Sequence, residues 1–257
     1  MKKTVLLYCI SVLYFSCASI HFKENYLEEE EDLVIRGNVE HVTCYTINEK
    51  TKKDSTKIII HYNKKGKPSK QIDFYKTGKE TTVFNYDSKN QLTSHHSDQP
   101  DKWVVNYSYD SKGNVSNYIN TYDGDISSEI KYRYDKHNNK IEEIHKRKEK
   151  PADTTLFENY YKKRMRVAKY LKSGRQAIIY YDKKGNVVRK ETQYGTLLYE
   201  YDNMGRLSKK TALNKDGILR FEYSFLNTYD DQQNLIETSA VENGKVYKRN
   251  LYLVKYR

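Results

Sequence analysis

The sequence predicts an all-β protein: an open, curved antiparallel meander of repeated β-hairpins, with no closed shell. Three observations predict it. Tyrosine is abundant, at 26 of 257 residues, although only 37% of the chain is hydrophobic. A Tyr-Asp or Tyr-Asn pair recurs with a period of about 20–28 residues. Ahead of each pair, aromatic or β-branched side chains alternate with polar ones, which is the signature of a strand with one buried face.

The pairs are Tyr62-Asn63, Tyr86-Asp87, Tyr109-Asp110, Tyr134-Asp135, Tyr181-Asp182, Tyr201-Asp202 and Tyr229-Asp230. The long interval between Tyr134 and Tyr181 hides a degenerate copy around Tyr160-Tyr161. Three residues after the acid or amide comes Gly or Asn, as in Asn63/Gly66, Asp87/Asn90, Asp110/Gly113, Asp182/Gly185 and Asp202/Gly205. The spacing has a physical cause. An Asp side chain accepts backbone N–H groups in the turn it opens. A short hairpin loop then needs a positive φ, which Gly adopts freely and Asn tolerates. In the copies opened by Asp135 and Asp230, Asn139 and Asn234 fall one residue late, which predicts one-residue insertions there. The strands show the alternation plainly: Ile130, Tyr132 and Tyr134 share one face, and Lys131 and Arg133 the other. Looser turns such as Asp123-Gly124, Ser173-Gly174 and Asn243-Gly244 return the chain. A lone hairpin is marginal, so stacked neighbours must stabilise one another.

The run Tyr199-Glu200-Tyr201-Asp202-Asn203-Met204-Gly205-Arg206-Leu207 resembles the Y-x-Y-D-x-x-G-R-L core of the Rhs/YD-repeat family, and Tyr107 to Val115 is similar. The likeness covers roughly residues 57–257. The lead-in Val39-Glu40-His41-Val42-Thr43 resembles that of small exported YD-repeat lipoproteins of the Bacteroidetes type. Long members of the family wrap such strands into a hollow shell around a toxin. This chain has too few repeats to close one and no appended toxin domain, so an encapsulating role is not expected. The resemblance implies structural roles for Tyr109, Asp110, Gly113, Tyr181, Asp182, Gly185, Tyr201, Asp202 and Gly205.

The N-terminus divides the chain into a signal peptide (1–16), an acidic tether (17–32) and the repeat array (33–257). Lys2-Lys3, an apolar run from Val5 to Phe15 and the small residues around Cys17 describe an export signal. The run is too short to span a bilayer. Cys17 follows Ser16, as in a bacterial lipoprotein whose cysteine becomes the lipidated first residue; Tyr14 departs from the usual leucine, and plain cleavage or an uncleaved anchor is the alternative. Glu28 to Asp32 is a self-repelling acidic run, read as an extended tether or a sorting signal. The expected address is the cell envelope, as an outer-membrane lipoprotein of a Gram-negative bacterium.

A formal charge of +12 would ordinarily point to nucleic acid. Export argues against that, leaving a basic soluble surface or attraction to anionic glycans, lipid headgroups or an acidic protein. The seven histidines show no zinc-ligand spacing; His95-His96 with Asp98 is read as an exposed loop. No phosphate loop or nucleophile elbow occurs. Trp103 is read as a sheet residue, with an aromatic platform for a sugar or a partner as the alternative. The expectation is a non-enzymatic binding or scaffold protein without cofactor or metal, recognising a glycan or a protein. The alternative is an immunity-type protein that neutralises a secreted toxin. No sequence feature names the ligand.

Overall fold

The computed structural model describes residues 35–49, 51, 56–98 and 103–257. Signal segment, Cys17 and acidic tether lie outside the described residues. Eighteen strands account for nearly all of the rest. They are β1 (Val39–Asn48), β2 (Thr56–Tyr62), β3 (Pro68–Tyr75), β4 (Gly78–Tyr86), β5 (Leu92–Ser97) and β6 (Trp103–Tyr109). Next come β7 (Val115–Tyr122), β8 (Asp125–Tyr134), β9 (Lys140–Arg147), β10 (Asp153–Tyr160), β11 (Met165–Tyr170) and β12 (Arg175–Tyr181). The last six are β13 (Val187–Thr192), β14 (Gly195–Tyr201), β15 (Leu207–Asn214), β16 (Leu219–Tyr229), β17 (Leu235–Glu242) and β18 (Lys245–Tyr256). One 3₁₀ turn, Tyr161–Lys163, joins β10 to β11.

Each strand pairs antiparallel with the next, and β1 pairs with β18. The seam runs from Val39 opposite Tyr256 to Asn48 opposite Lys248. The molecule is therefore a closed up-and-down β-barrel, which overturns the expected open meander with no closed shell. The repeats present do suffice for closure. The reason lies in the turns. Each Tyr-Asp or Tyr-Asn hairpin carries a register shift immediately before its tyrosine, between His61/Tyr62, Asn85/Tyr86, Ser108/Tyr109, Arg133/Tyr134, Tyr180/Tyr181, Glu200/Tyr201 and Thr228/Tyr229. A β-bulge bends its strand and increases twist. The same bend, repeated at the same end of every hairpin, rolls the sheet until its two edges meet. Pairing β1 with β18 then removes both edges.

Up-and-down connectivity sorts the connections by rim. Every Tyr-Asp or Tyr-Asn turn lies at one end of the barrel, as does the seam contact from Arg257 N–H to the Asn38 carbonyl at 2.8 Å. The looser glycine turns lie at the other end.

Registers around the barrel place Val42, Ile60, Val105, Ile130, Phe157, Ile179, Tyr199, Ala212 and Ala240 on one face. All the buried apolar side chains among the described residues are on that face. Curvature crowds the concave side of a sheet, so this is the inside. The outside carries cross-strand ion pairs: Arg133–Glu142 at 3.2 Å, Lys209–Glu222 at 3.1 Å and Arg249–Glu237 at 3.4 Å. The two apolar clusters are each drawn from neighbouring strands, one around Ile179, Tyr181, Val187 and Tyr199, the other around Val39, Val42 and Tyr62. A barrel of about eight strands is filled by its own side chains, whereas one of roughly sixteen or more encloses open space. A round barrel of this girth is about 27 Å wide before strand tilt.

Candidate functional site

The structure presents two repeated surfaces, a rim of aspartate turns and an aromatic inner wall. At the rim, one side-chain oxygen of the opening acid holds the whole loop. Asp110 Oδ1 accepts the N–H groups of Lys112 and Asn114, both at 2.9 Å. Asp182 does the same for Lys184 and Asn186 at 2.8 Å, and Asp202 for Met204 at 3.0 Å and Arg206 at 2.9 Å. Gly113, Gly185 and Gly205 follow with φ of +86°, +82° and +81°. The turns at Asp135 and Asp230 have no insertion, contrary to the sequence reading. Asn138 and Gln233 occupy the positive-φ place at +60° and +63°. Asn139 and Asn234, one residue on, are fully buried. Asn114 and Asn186 stand at the same position and donate their amides to the turn's own aspartate, at 2.9 and 2.8 Å. This asparagine is the repeat residue that the sequence reading missed. Its signal was a polar residue recurring four places after the acid.

The tyrosines tie each repeat to its neighbour in two ways. The hydroxyls of Tyr86, Tyr109, Tyr134 and Tyr201 donate to the carbonyls of Pro68, Leu92, Val115 and Val187, each at 2.8 Å. Those carbonyls belong to the first residue of the adjacent strand, beside the bulge. Tyr161, Tyr229 and Tyr256 reach instead to the carboxylates of Asp135, Asp202 and Asp230 in the preceding aspartate turn. Tyr161 thus serves the degenerate copy, whose turn closes with Arg164 at φ +48°. Burial alone would raise the Asp135, Asp202 and Asp230 carboxyls. Hydrogen bonds from the tyrosines and from the turn backbone outweigh it and hold all three below the ordinary aspartate value. Burial and the Asp135 contact push the Tyr161 phenol up to about 12. These groups are spent on structure.

The inner wall mixes rings with a few polar groups. Buried Arg166 donates to Asn159 Oδ1 at 2.8 Å and lies 5.0 Å over the Phe157 ring. Lys140 Nζ stands 4.3 Å over Tyr132 and 3.0 Å from Glu143. His95 and His96 belong to β5 rather than to a loop, because the strand continues to Ser97. His95 sits among Phe84, Trp103 and Tyr107. Burial lowers its pKa, and burial pushes Tyr107 up to about 12, so at neutral pH this patch is an uncharged ring cluster. Cys44 is half-buried on the same wall, opposite Tyr252, and burial raises its thiol. Among the described residues no group of His, Cys, Asp and Glu is arranged to hold a metal ion, and no helix is long and apolar enough to cross a membrane.

No protein-family model matches the sequence, and no curated protein matches it. Solved structures resemble the barrel only loosely. A porin-like protein from Bacteroides uniformis aligns with a TM-score of 0.49 and 10% identity, over 86% of this chain and 99% of that one. A porin-like protein from Bacteroides vulgatus gives 0.44 and 12%, over 85% and 98%. A chain of the TcdB2–TccC3–Cdc42 complex gives 0.36 and 15%, over 75% of this chain but 12% of its own. Likeness at that level says nothing of what this chain does.

Proposed function

We propose that this chain is a non-enzymatic binding or scaffold barrel of the cell envelope, built from YD-type repeats and attached to a membrane by lipid on Cys17. Its hollow interior and rims would recognise a glycan or a protein partner. One observation carries the reading: the buried apolar side chains of the described residues all face inward, whereas the outer face, where residues such as Ile59, Ile144 and Leu226 lie, is crossed by ion pairs. A membrane-spanning barrel needs the reverse, an apolar outer band facing lipid. An outer wall crossed by Arg133–Glu142 and by Lys209 between Glu200 and Glu222 belongs in water. Attachment then falls to the N-terminal segment, and the described chain begins at the aspartate-turn rim. The recurring chemistry of that rim is consumed by the turns themselves, which supports binding over catalysis.

The test is labelled palmitate incorporation in cells, lost in Cys17→Ala, followed by detergent phase separation of a variant that also lacks the apolar run Val5–Phe15. The variant is expected in the aqueous phase with its β-sheet signal intact. Retention of the unlipidated variant in the membrane would mean that the strands themselves insert, and would sink the reading. Affinity capture from envelope extracts then separates partner classes: one acidic protein recovered without glycan would favour the immunity-type role.

A further inference from the structure

At the mouth opposite the aspartate turns, the inner wall ends in a cluster that the repeat pattern does not require. Trp103 opens β6 and is in register with Tyr122 at the end of β7. Its indole N–H donates to Glu80 Oε1 at 2.9 Å. The His95 ring stands edge-on to the indole, with centroids 5.2 Å apart. Asp73 lies directly opposite Glu80 across the β3–β4 pair, so two carboxylates share the inner face here. Tyr75, two residues beyond Asp73, and Tyr122 are 56% and 50% exposed. Buried tyrosines elsewhere tie repeats together; these two are left wet at the mouth.

The geometry points to a binding site for a neutral oligosaccharide at this mouth, with Trp103 and Tyr122 as stacking platforms and Glu80 and Asp73 as hydroxyl acceptors. This rests on the reading of the barrel as a binding protein. A pyranose ring offers C–H groups on its face and O–H donors around its edge. Flat aromatic surface takes the first, and ionised carboxylates accept strongly from the second. Wide apolar lining with a few polar groups that set orientation is the usual build of a small-molecule site. Asn120 lies on the same wall, between Tyr118 and Tyr122, and its side-chain oxygen is buried without a hydrogen-bond partner. A turn of that amide about its soft terminal torsion brings a third acceptor to the patch. The alternatives fit less well. Asp73 and Glu80 repel an anionic glycan or a nucleic acid locally, whatever the net charge of +12. A peptide that adds as a strand needs a free sheet edge, and the closed barrel offers none.

Trp103 is the chain's one tryptophan, so its emission reads the site directly. The mature chain would be titrated with maltohexaose, cellohexaose and chitohexaose, following emission and heat. The expected result is a saturable emission change with at least one of them. Tyr122→Ala, at a half-exposed strand end, should weaken that binding at least tenfold without moving the melting temperature, and Glu80→Gln should weaken it several-fold. Calorimetric binding that leaves the emission unchanged and survives Tyr122→Ala within twofold overturns this site while leaving the barrel a glycan-binding protein. Absence of both heat and emission change with all three sugars overturns the inference outright; a protein partner recovered by capture would still uphold the broader reading.

Discussion

Gly195 and Gly205 differ in what surrounds them, although both have positive φ. Gly195 opens β14 at φ +139°, and a Cβ there would lie 2.0 Å from the Leu213 carbonyl oxygen and 2.9 Å from Asn214. Those are backbone atoms of the paired strand and cannot step aside. Gly205 has φ +81° with nothing within 4 Å, so its substitution meets conformational strain alone. Gly205→Ala should therefore cost about 1 kcal/mol, near the usual left-handed penalty for an L-residue. Gly195→Ala should cost clearly more, read as a lower urea midpoint at unchanged slope. The phenol hydroxyls are the second residue-scale device. Tyr229→Phe removes the 2.7 Å bond to Asp202 and leaves the ring in place. A hydrogen bond to a charged group contributes about 1.5–3 kcal/mol, and partial exposure puts this one at the lower end. Equal urea midpoints for Tyr229→Phe and the parent would refute a stabilising role.

At the scale of the hairpin, the same carboxylates make stability depend on pH. Asp135, Asp202 and Asp230 have folded pKa values below the ordinary aspartate value of about 3.9. A lowered folded pKa means that the unfolded chain binds protons first. The stabilisation is therefore complete above the unfolded value and is lost as pH falls through the folded ones. The aspartate contribution should hold steady between pH 7 and about 5 and be lost below about 4, after an earlier loss of melting temperature as pH falls below about 6.5, where the unfolded chain protonates His95 before the folded one does. Asp202→Asn keeps the turn's shape, lowers the melting temperature at pH 7 and makes the fall shallower. A variant whose acid profile runs parallel to the parent's would show that this carboxylate is not among the groups responsible.

For the whole molecule, the decisive feature is the seam. Cys44 on β1 faces Tyr252 on β18 in register. Adjacent antiparallel Cα atoms are about 4.5–5.5 Å apart, within reach of a disulfide. In the mature chain with Cys17→Ser, Tyr252→Cys should oxidise to an intramolecular disulfide, detected as a loss of two hydrogens by intact mass with no dimer. In an open sheet these residues would lie on its two far edges, and oxidation would give free thiols or cross-linked dimers. Removing Lys245–Arg257 should have a larger effect than trimming any loop, because it exposes both β1 and β17 as edges; sedimentation would reveal the resulting association.

The sequence by itself determined the local units. Alternation around Tyr132 and Tyr199 defined strands and their buried faces, and the Asp-x-x-Gly spacing defined the turns, because both depend on chemistry within a few residues of chain. It also showed that Tyr109, Asp110, Gly113 and their equivalents build the scaffold. Asn138 fits the Gly-or-Asn spacing and was passed over for its neighbour Asn139, whereas Gln233 is neither Gly nor Asn, and only the backbone φ reveals which residue turns left-handed. The position of His95 on an inner strand, beside Trp103 and Glu80, was equally hidden, since it depends on the register between hairpins. Closure belonged to tertiary structure alone. One bulge before each tyrosine adds a small bend with no distinctive sequence mark, and the bends sum over the whole array. Whether that sum brings β18 back to β1 is a geometric property of the full chain, and it is what turns a tyrosine-lined sheet into a tyrosine-lined interior.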